Sequence, residues 1–362
     1  MIFYLTSQAA FAQGVPRSDT LFGAICWAIR WLYGEKELAE LLAAFDASVE
    51  KQTAPPFVIS SVFPFFEDYA GKILFLPRPL GAIDLSDSLQ QVETYQSFKR
   101  FQKAKFVSRS VFDLVASGKL DEAQIYAQLN QNDVGSFRLH GGALMTQAEY
   151  ERVKVLPSLI SAVELPRNSI NRISVATSGT GGQLFYQPVA SGRALSKLNT
   201  RSGFYFLARS AESATTEMLK AAMRFLADKG LGGDFSVGRG HCEVSADSDD
   251  IVGDTGGTRL MTLSLMHPSP TDLQHLNQNR SATFARLERR KGFLEGSFVI
   301  PIKQIWKPTL FMLGEGSTFL RDGERNTYGN LFAESRQREG LGFDVRINGL
   351  AYTVGMKGGE KQ

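Results

Sequence analysis

A glycine-rich stretch, residues 230–240, holds the residue types best suited to bind a polyanion. It contains five glycines together with Phe235, Ser236 and Arg239. Glycine exposes backbone N–H groups and lets another backbone approach closely. Arg239 can donate a charge-assisted hydrogen bond to a phosphate, and Phe235 offers a ring on which a base can stack. The stretch therefore predicts contact with a nucleic-acid backbone. The alternative is a turn that uses glycine only for its positive φ angles.

The elements around this loop argue against a mononucleotide site. Apolar residues at helical spacing precede it, with Ser213 as the predicted N-cap and Gly230 where the helix should end. After the loop, Cys242 and Val244 alternate with polar residues, as in a strand. Walker and Rossmann phosphate loops run from strand to helix, and Arg239 stands where a Walker loop needs lysine. A nucleotide-binding regulator is therefore the least favoured alternative.

A second polar stretch predicts a β-hairpin with a basic root. Its functional candidates are Arg167, Asn168, Arg172 and Ser174. A short strand is predicted around Ile173, residues 177–182 turn the chain, and residues 183–187 return as a strand. Such a hairpin can insert into a nucleic acid or contact a partner. The alternative is a hairpin without a ligand.

The order of the remaining elements predicts an α+β fold. Ile2–Ser7 predicts a strand, and a helix follows that Ser18 or Asp19 caps and Gly34 ends. Residues 203–208 predict another strand, which leads into the helix before the glycine loop. Strand, helix, interrupted strands, helix and strand is the βαββαβ order of a ferredoxin-like, RRM-type domain.

Two domains are predicted from the 362 residues. The first, residues 1–248, is ferredoxin-like, with an insertion at about 51–165 and the hairpin at about 166–188. The second, residues 249–362, is a degenerate ferredoxin-like domain that faces the first across a groove. Within the insertion, residues 98–106 interleave aromatic and basic residues. That pattern indicates either an RNA or partner surface or an amphipathic helix with a solvated basic side.

Composition limits the location of the protein and the kind of site it carries. The net charge of +3 is only mildly basic, so a nucleic-acid site has to be local. Cys26 and Cys242 make neither a disulfide framework nor a zinc site, and we expect both in the core of a cytoplasmic protein. The N-terminal sequence lacks the basic leader of a signal peptide, and Arg30 interrupts the best candidate for a membrane span.

No constellation of residues predicts catalysis, a metal site or a cofactor. The four histidines, His140, His241, His267 and His275, lack metal-ligand spacing. His241, beside the glycine loop, is the single candidate for the base of a metal-independent ribonuclease. The acidic residues within 247–254 predict a solvated linker, because magnesium sites need carboxylates fixed on rigid elements. We therefore expect a protein that is not an enzyme.

Several motifs together resemble a known family. They are Ser18-Asp19-Thr20-Leu21-Phe22-Gly23, Asn171-Arg172-Ile173-Ser174 with residues 177–185, the glycine loop, Lys307-Pro308-Thr309, Glu315-Gly316-Ser317-Thr318-Phe319 and Tyr352-Thr353-Val354-Gly355. On these residues the chain resembles the RAMP superfamily of CRISPR effector complexes. More narrowly, it resembles the type III-A subunit that caps the 5′ end of the crRNA, a relative of the Cas five group. Residues 51–165 carry no matching motif.

The resemblance implies a non-catalytic subunit that binds the 5′ repeat-derived tag of the crRNA. It also implies docking of the large polymerase-like subunit and contact with the repeated backbone subunit, in antiviral defence. By position, Arg239 would meet a tag phosphate and Ser236 would donate its hydroxyl. The other implied RNA contacts are Arg17, Ser18, Arg167, Asn168, Arg172, Ser174, Gly230, Gly232, Gly233, Phe235, Gly238 and Gly240. The alternative is a repeat-processing, metal-independent endoribonuclease of the same superfamily that uses His241 or a tyrosine.

Overall fold

The fold comes from a computed structural model of the chain. It describes residues 1–7, 9–12, 14–81, 101–120, 124–125, 129, 136–170, 183–192, 194–195, 199–248, 256–294, 306–323, 325–335 and 344–357. Its helices are α1 (Ser18–Tyr33), α2 (Glu35–Lys51), α3 (Arg109–Ala116), α4 (Gln147–Val153), α5 (Ser213–Lys229) and α6 (Pro270–Gln278).

The strands fall into an N-terminal and a C-terminal set. The first set is β1 (Ile2–Ser7), β2 (Phe11–Ala12), β3 (Phe57–Ile59), β4 (Phe63–Asp68), β5 (Gly71–Pro77), β6 (Phe106–Ser108), β7 (Phe137–His140), β8 (Ala143–Thr146), β9 (Ser161–Ser169), β10 (Gln183–Ser191), β11 (Ala194–Leu195), β12 (Thr200–Ser210) and β13 (Cys242–Asp247). The second set is β14 (Arg259–Thr262), β15 (Leu287–Arg290), β16 (Leu310–Leu313), β17 (Thr318–Leu320), β18 (Gly329–Ser335), β19 (Asp344–Leu350) and β20 (Thr353–Met356).

One large sheet organises the N-terminal part, and the α+β class predicted from the sequence is confirmed. Its strand order is β13-β1-β12-β4-β5-β6-β8-β7, with β3 and β11 also pairing with β12. Along this order only β6 and β8 are parallel neighbours. The other described strands form smaller sheets: β2-β10-β9, β17-β14-β20, β15-β16 and β18-β19.

Helices α1 and α5 end at the glycines that the sequence predicted, but their N-cap residues differ from the predicted ones. Gly34 ends α1 with a φ of 100°, a value that favours glycine, as predicted. The residue before α1 is Arg17, so the predicted cap by Ser18 or Asp19 is wrong. The reason is competition, because the Ser18 hydroxyl instead accepts a hydrogen bond from the Leu265 N–H at 3.0 Å. Ser213 is likewise the first residue of α5 and not its cap.

The central strand β12 is buried on both faces, and it separates two hydrophobic clusters. On one face Phe204 and Phe206 pack with apolar residues of α1 and α5. On the other face Tyr205 and Leu207 pack with residues of α3, β14 and β20. The C-terminal strands therefore cover the face of the sheet that α1 and α5 leave open. Both cysteines lie in or against the core as predicted, and burial raises the pKa of each thiol to about 12.

Residues 51–165, predicted as an insertion, supply strands to the large sheet. β4 pairs directly with the central β12, and β5, β6, β8 and β7 extend the sheet from there. Of the basic segment at 98–106, residues 98–100 lie outside the described residues. Phe101 is buried, with the Arg78 guanidinium 5.0 Å from its ring centroid. The aromatic side of this segment therefore belongs to the core.

An ion pair holds α4 against the end of β4. The Arg152 side chain donates hydrogen bonds to both carboxylate oxygens of Asp68, at 2.9 and 2.6 Å. These hydrogen bonds hold the pKa of Asp68 below its ordinary value.

We expect Asp68→Asn to lower the free energy of unfolding by about 1–2 kcal/mol near pH 7. A carboxylate whose pKa is lowered on folding stabilises fully above its unfolded pKa of about 3.9, and this contribution is lost as the pH falls through the folded value. The difference between the two proteins should therefore shrink in acid. Denaturant unfolding at pH 7 and about pH 3 measures it. The exposed Glu40→Gln serves as the control, and a pH-independent difference would contradict the ion-pair explanation.

Candidate nucleic-acid interface

The glycine loop, residues 230–240, is closed by backbone hydrogen bonds at its base. The Leu231 N–H donates to the Gly240 carbonyl at 3.0 Å, and the Gly240 N–H donates to the Ala10 carbonyl at 3.2 Å. The Ala9 N–H donates to the His241 carbonyl at 3.1 Å. Leu231 is fully buried beneath the loop. The loop is thus anchored to the segment that follows β1.

A short 3-10 turn, Phe235–Val237, shapes the tip of the loop. Asp234 begins it with a φ of 59°, a left-handed conformation that Asp tolerates better than most residues. The Asp234 carbonyl accepts hydrogen bonds from the N–H groups of Val237 at 3.1 Å and Arg239 at 3.2 Å. Asp234 therefore organises the tip through its backbone.

The glycines of the loop have two different roles. A Cβ at Gly230 would lie 2.3 Å from the Arg239 carbonyl oxygen, and one at Gly240 would lie 2.1 Å from the Leu231 oxygen. These two positions need glycine because backbones meet there. Gly232 and Gly238 have positive φ angles but open space around them. The turn alternative therefore explains the glycines at the base of the loop. At the tip, a Cβ at Gly232 or Gly238 would meet no other atoms within 4 Å, so close contact does not explain these glycines.

Donor groups without partners lie at the tip and side of the loop. Among the described residues, the backbone N–H groups of Gly232 and Gly233 have no acceptor within the chain. The Nε of Arg239 is buried and has no hydrogen-bond partner in the described part of the chain. Ser236 is exposed. A buried donor without a partner is costly, so an anion that accepts from Arg239 would remove that cost.

The ammonium group of Lys229 lies over both Phe235 and Trp31, a residue near the end of α1. The Lys229 Nζ lies 3.5 Å from the Phe235 ring centroid and 4.2 Å from that of Trp31. The ring predicted as a stacking surface therefore has an ammonium group over it. Lys229, which the sequence did not single out, adds positive charge beside the loop.

A hairpin of β9 and β10 lies against the loop, and its second strand is the one predicted at 183–187, whereas the strand predicted around Ile173 lies outside the described residues. The two strands pair from Ser161↔Ser191 to Ser169↔Gln183, and β2 pairs with the end of β10. Asn168 is exposed on β9. Residues 171–182, which include Arg172, Ser174 and the predicted turn, lie outside the described residues, so those two contacts stay predictions.

Asp234 joins the hairpin to the loop. The Arg167 Nε donates to the Gln187 Oε1 at 3.0 Å, and the Gln187 side chain donates to the Asp234 carboxylate. The Arg167 guanidinium lies 3.6 Å from the same carboxylate. Sequence reasoning missed Asp234 and Gln187. The one available signal was an acidic residue inside a glycine loop expected to bind phosphate. We call the glycine loop with Arg167, Asn168 and Gln187 the loop–hairpin surface.

Arg17 and Ser18 lie at a junction with the C-terminal part of the chain. The Arg17 guanidinium donates to both carboxylate oxygens of Glu315, and it lies 3.3 Å from Glu288. Ser18 is fully buried. The RNA contacts predicted for these two residues stay predictions, and the structure shows both side chains already bonded within the chain.

Among the described residues, the histidines and acidic residues form no further constellation that could hold a metal ion. The Nε2 atoms of His140 and His275 are bonded to the carbonyls of Leu156 and Leu320. Burial lowers the pKa of His267. Within the described ranges, no group of three or more His, Cys, Asp or Glu side chains is placed to hold a metal ion. No described helix is both long enough and apolar enough to span a bilayer.

Comparison with known proteins supports the family resemblance. The chain is 27% identical over 349 residues to the CRISPR system Cms protein Csm4 of Thermococcus onnurineus (strain NA1), covering 95% of this chain and 93% of that protein. The resemblance to the RAMP proteins of type III-A complexes is confirmed. No family model matches the chain.

Two solved structures share the fold of this Csm4-like chain. One is the Csm3-Csm4 subcomplex of the type III-A CRISPR-Cas interference complex, with a TM-score of 0.61, 18% identity and 99% of each chain covered. The other is the Csm1-Csm4 cassette in complex with pppApA, with a TM-score of 0.55, 22% identity, and 98% of this chain and 97% of that chain covered.

Two glycine substitutions separate the base of the loop from its tip. We expect Gly240→Ala to lower the melting temperature clearly, because the new Cβ would collide with the Leu231 carbonyl. Gly238→Ala, the matched control, has a positive φ but nothing within 4 Å, so it should cost only about 1–2 kcal/mol. Thermal unfolding and hydrogen exchange at the Leu231 amide measure the two. Equal losses would show that backbone closure does not need glycine.

Proposed function

We propose that this chain is a non-catalytic RNA-binding subunit of a type III-A CRISPR interference complex, and that it binds the 5′ repeat-derived tag of the crRNA. One observation carries the proposal. The glycine loop offers the N–H groups of Gly232 and Gly233 and the Arg239 Nε without partners among the described residues. Adjacent backbone donors and an arginine match the oxygens of successive phosphates. The similarity to Csm4 supplies the type of complex.

Fold topology supports an RRM-like N-terminal domain. The strands β1, β4, β12 and β13, in chain order, lie side by side as β13-β1-β12-β4 with all neighbours antiparallel. Helix α1 lies between the first two and α5 between the last two. We infer from this order that the domain is ferredoxin-like. A degenerate ferredoxin-like second domain remains part of the proposal.

The RNA path follows from the loop–hairpin surface. The tag backbone lies along Gly232 and Gly233, with Arg239 on a phosphate and Ser236 as a hydroxyl donor. Arg167 and Asn168, with Arg172 and Ser174 beyond them, guide the strand toward the junction of tag and guide. Since two glutamates neutralise Arg17, its role in the proposal is to fix the start of α1 beside this path.

The proposed partners are the large polymerase-like subunit and the repeated backbone subunit. One similar structure is a Csm1-Csm4 cassette, and another is a Csm3-Csm4 subcomplex. We propose equivalent neighbours for this chain in a cytoplasmic complex of antiviral defence. No cofactor enters the proposal.

The Arg239→Ala variant tests whether the Arg239 guanidinium binds the RNA, as the proposal requires. We expect the affinity for a tagged crRNA to fall by roughly 5- to 150-fold, the equivalent of about 1–3 kcal/mol for a charge-assisted hydrogen bond. The slope of log affinity against log salt should fall by about one. Fluorescence anisotropy over a salt series measures both. Lys36→Ala, an exposed charge on α2, is the control, and equal affinities of the Arg239 variant and the wild type would contradict the proposal.

The same RNA, analysed on a denaturing gel with EDTA present, tests the non-catalytic part. We expect intact RNA. Metal-independent cleavage that His241→Ala abolishes would replace this proposal with the endoribonuclease, because His241 lies directly after the loop that binds the strand.

A further inference from the structure

The paired strands β15 and β16 have one face in the core and one face in solvent. Leu310 and Met312 of β16 point into a hydrophobic cluster with Leu265 and Ile347. Phe311, between them, is 55% exposed. It pairs with Arg289 of β15 across the two strands, so both side chains lie on the outward face.

The charged side chains on one face of β15 form ion pairs within the chain, and the one on the other face is exposed. Glu288 lies 3.3 Å from Arg17, and Arg290 donates hydrogen bonds to Asp19 at 2.9 and 3.0 Å. The alternating residue Arg289 points outward, and the nearby residues Arg286 and Lys291 are also exposed. Within the described residues, neither Arg286 nor Arg289 forms an ion pair with an acidic side chain. The exposed charges of this segment are therefore all positive.

Large apolar side chains lie among these cations. Leu287 is 65% exposed, Phe293 49% and Trp306 45%. The Phe293 and Trp306 rings stack with their centroids 4.1 Å apart, and the Lys291 Nζ lies 4.8 Å from the Trp306 centroid. We call this set the β15–β16 outer face, and its residues are Arg286, Leu287, Arg289, Lys291, Phe293, Trp306 and Phe311. Exposed large apolar side chains grouped on neighbouring paired segments indicate an interaction site.

We propose that the β15–β16 outer face binds single-stranded RNA at a site separate from the glycine loop. A strand surface with exposed aromatic rings between arginines and lysines is suited to stack bases and neutralise phosphates. The exposed charges complement a polyanion, and no exposed carboxylate on the two strands opposes it. The site shares only its ligand class with the proposed tag site and does not depend on Arg239.

Binding of a labelled 15-nucleotide oligo(U), which has no repeat-derived tag, tests the site in the full chain. We expect Phe311→Ala and Trp306→Ala each to weaken binding about tenfold, as loss of one stacked base does. Phe311→Trp should retain affinity, whereas Phe311→Leu should not, because leucine keeps the apolar area and removes the ring. Tyr69→Ala, an aromatic 92% exposed elsewhere, is the control.

The two RNA sites can fail independently. Arg239→Ala should leave oligo(U) binding to this face unchanged, and Phe311→Ala should leave the salt slope assigned to Arg239 unchanged. Unchanged oligo(U) affinity in Phe311→Ala would overturn the outer-face site, whatever the tagged RNA shows. Protection of β15 from hydrogen exchange by a protein subunit of the complex but not by oligo(U) would overturn it as well, since the occupant would then be a protein.

Discussion

Burial of β12 on both of its faces is the constraint on which the rest of the structure depends. Antiparallel sheets commonly expose one face, and their strands then alternate between apolar and polar residues. The run Phe204–Ala208 does not alternate, because helices cover one face and C-terminal strands cover the other. This double burial ties the two parts of the chain into one core. It also fixes β1, which pairs with β12 on one side and on the other with β13, the strand that follows the glycine loop.

The acidic residues near the proposed RNA path hold its elements together. Asp234 pairs with Arg167 and bonds to Gln187, and these contacts link the loop to the hairpin. Glu315 and Glu288 pair with Arg17 in the same way at the start of α1. Each carboxylate neutralises a cation that the sequence would assign to phosphate. The positive charge left for a ligand therefore comes from fewer residues than the sequence count implies, and the Arg239 Nε has no hydrogen-bond partner among the described residues.

The loop combines a rigid base with an accessible tip. Gly230 and Gly240 allow backbones to meet at distances that any side chain would prevent. The N–H groups of Gly232 and Gly233 have no acceptor among the described residues. A binding site gains precision when its supporting groups are fixed by their own contacts. Here that support comes from main-chain hydrogen bonds, which the segment after β1 completes.

The sequence alone determined several local features and the family resemblance. The strand Ile2–Ser7, the end of α1 at Gly34, the helix before the glycine loop and the strand that begins at Gln183 all follow from period and glycine position. Only the tertiary structure decided what each polar residue bonds to. Ser18 is a good cap by type, yet its hydroxyl accepts from Leu265, which is 247 residues away. Likewise β4 lies in the stretch predicted as an insertion, and the structure pairs it with the central strand β12. Local pattern records backbone preference, but hydrogen bonds and ion pairs form between whichever groups the packed core brings within reach.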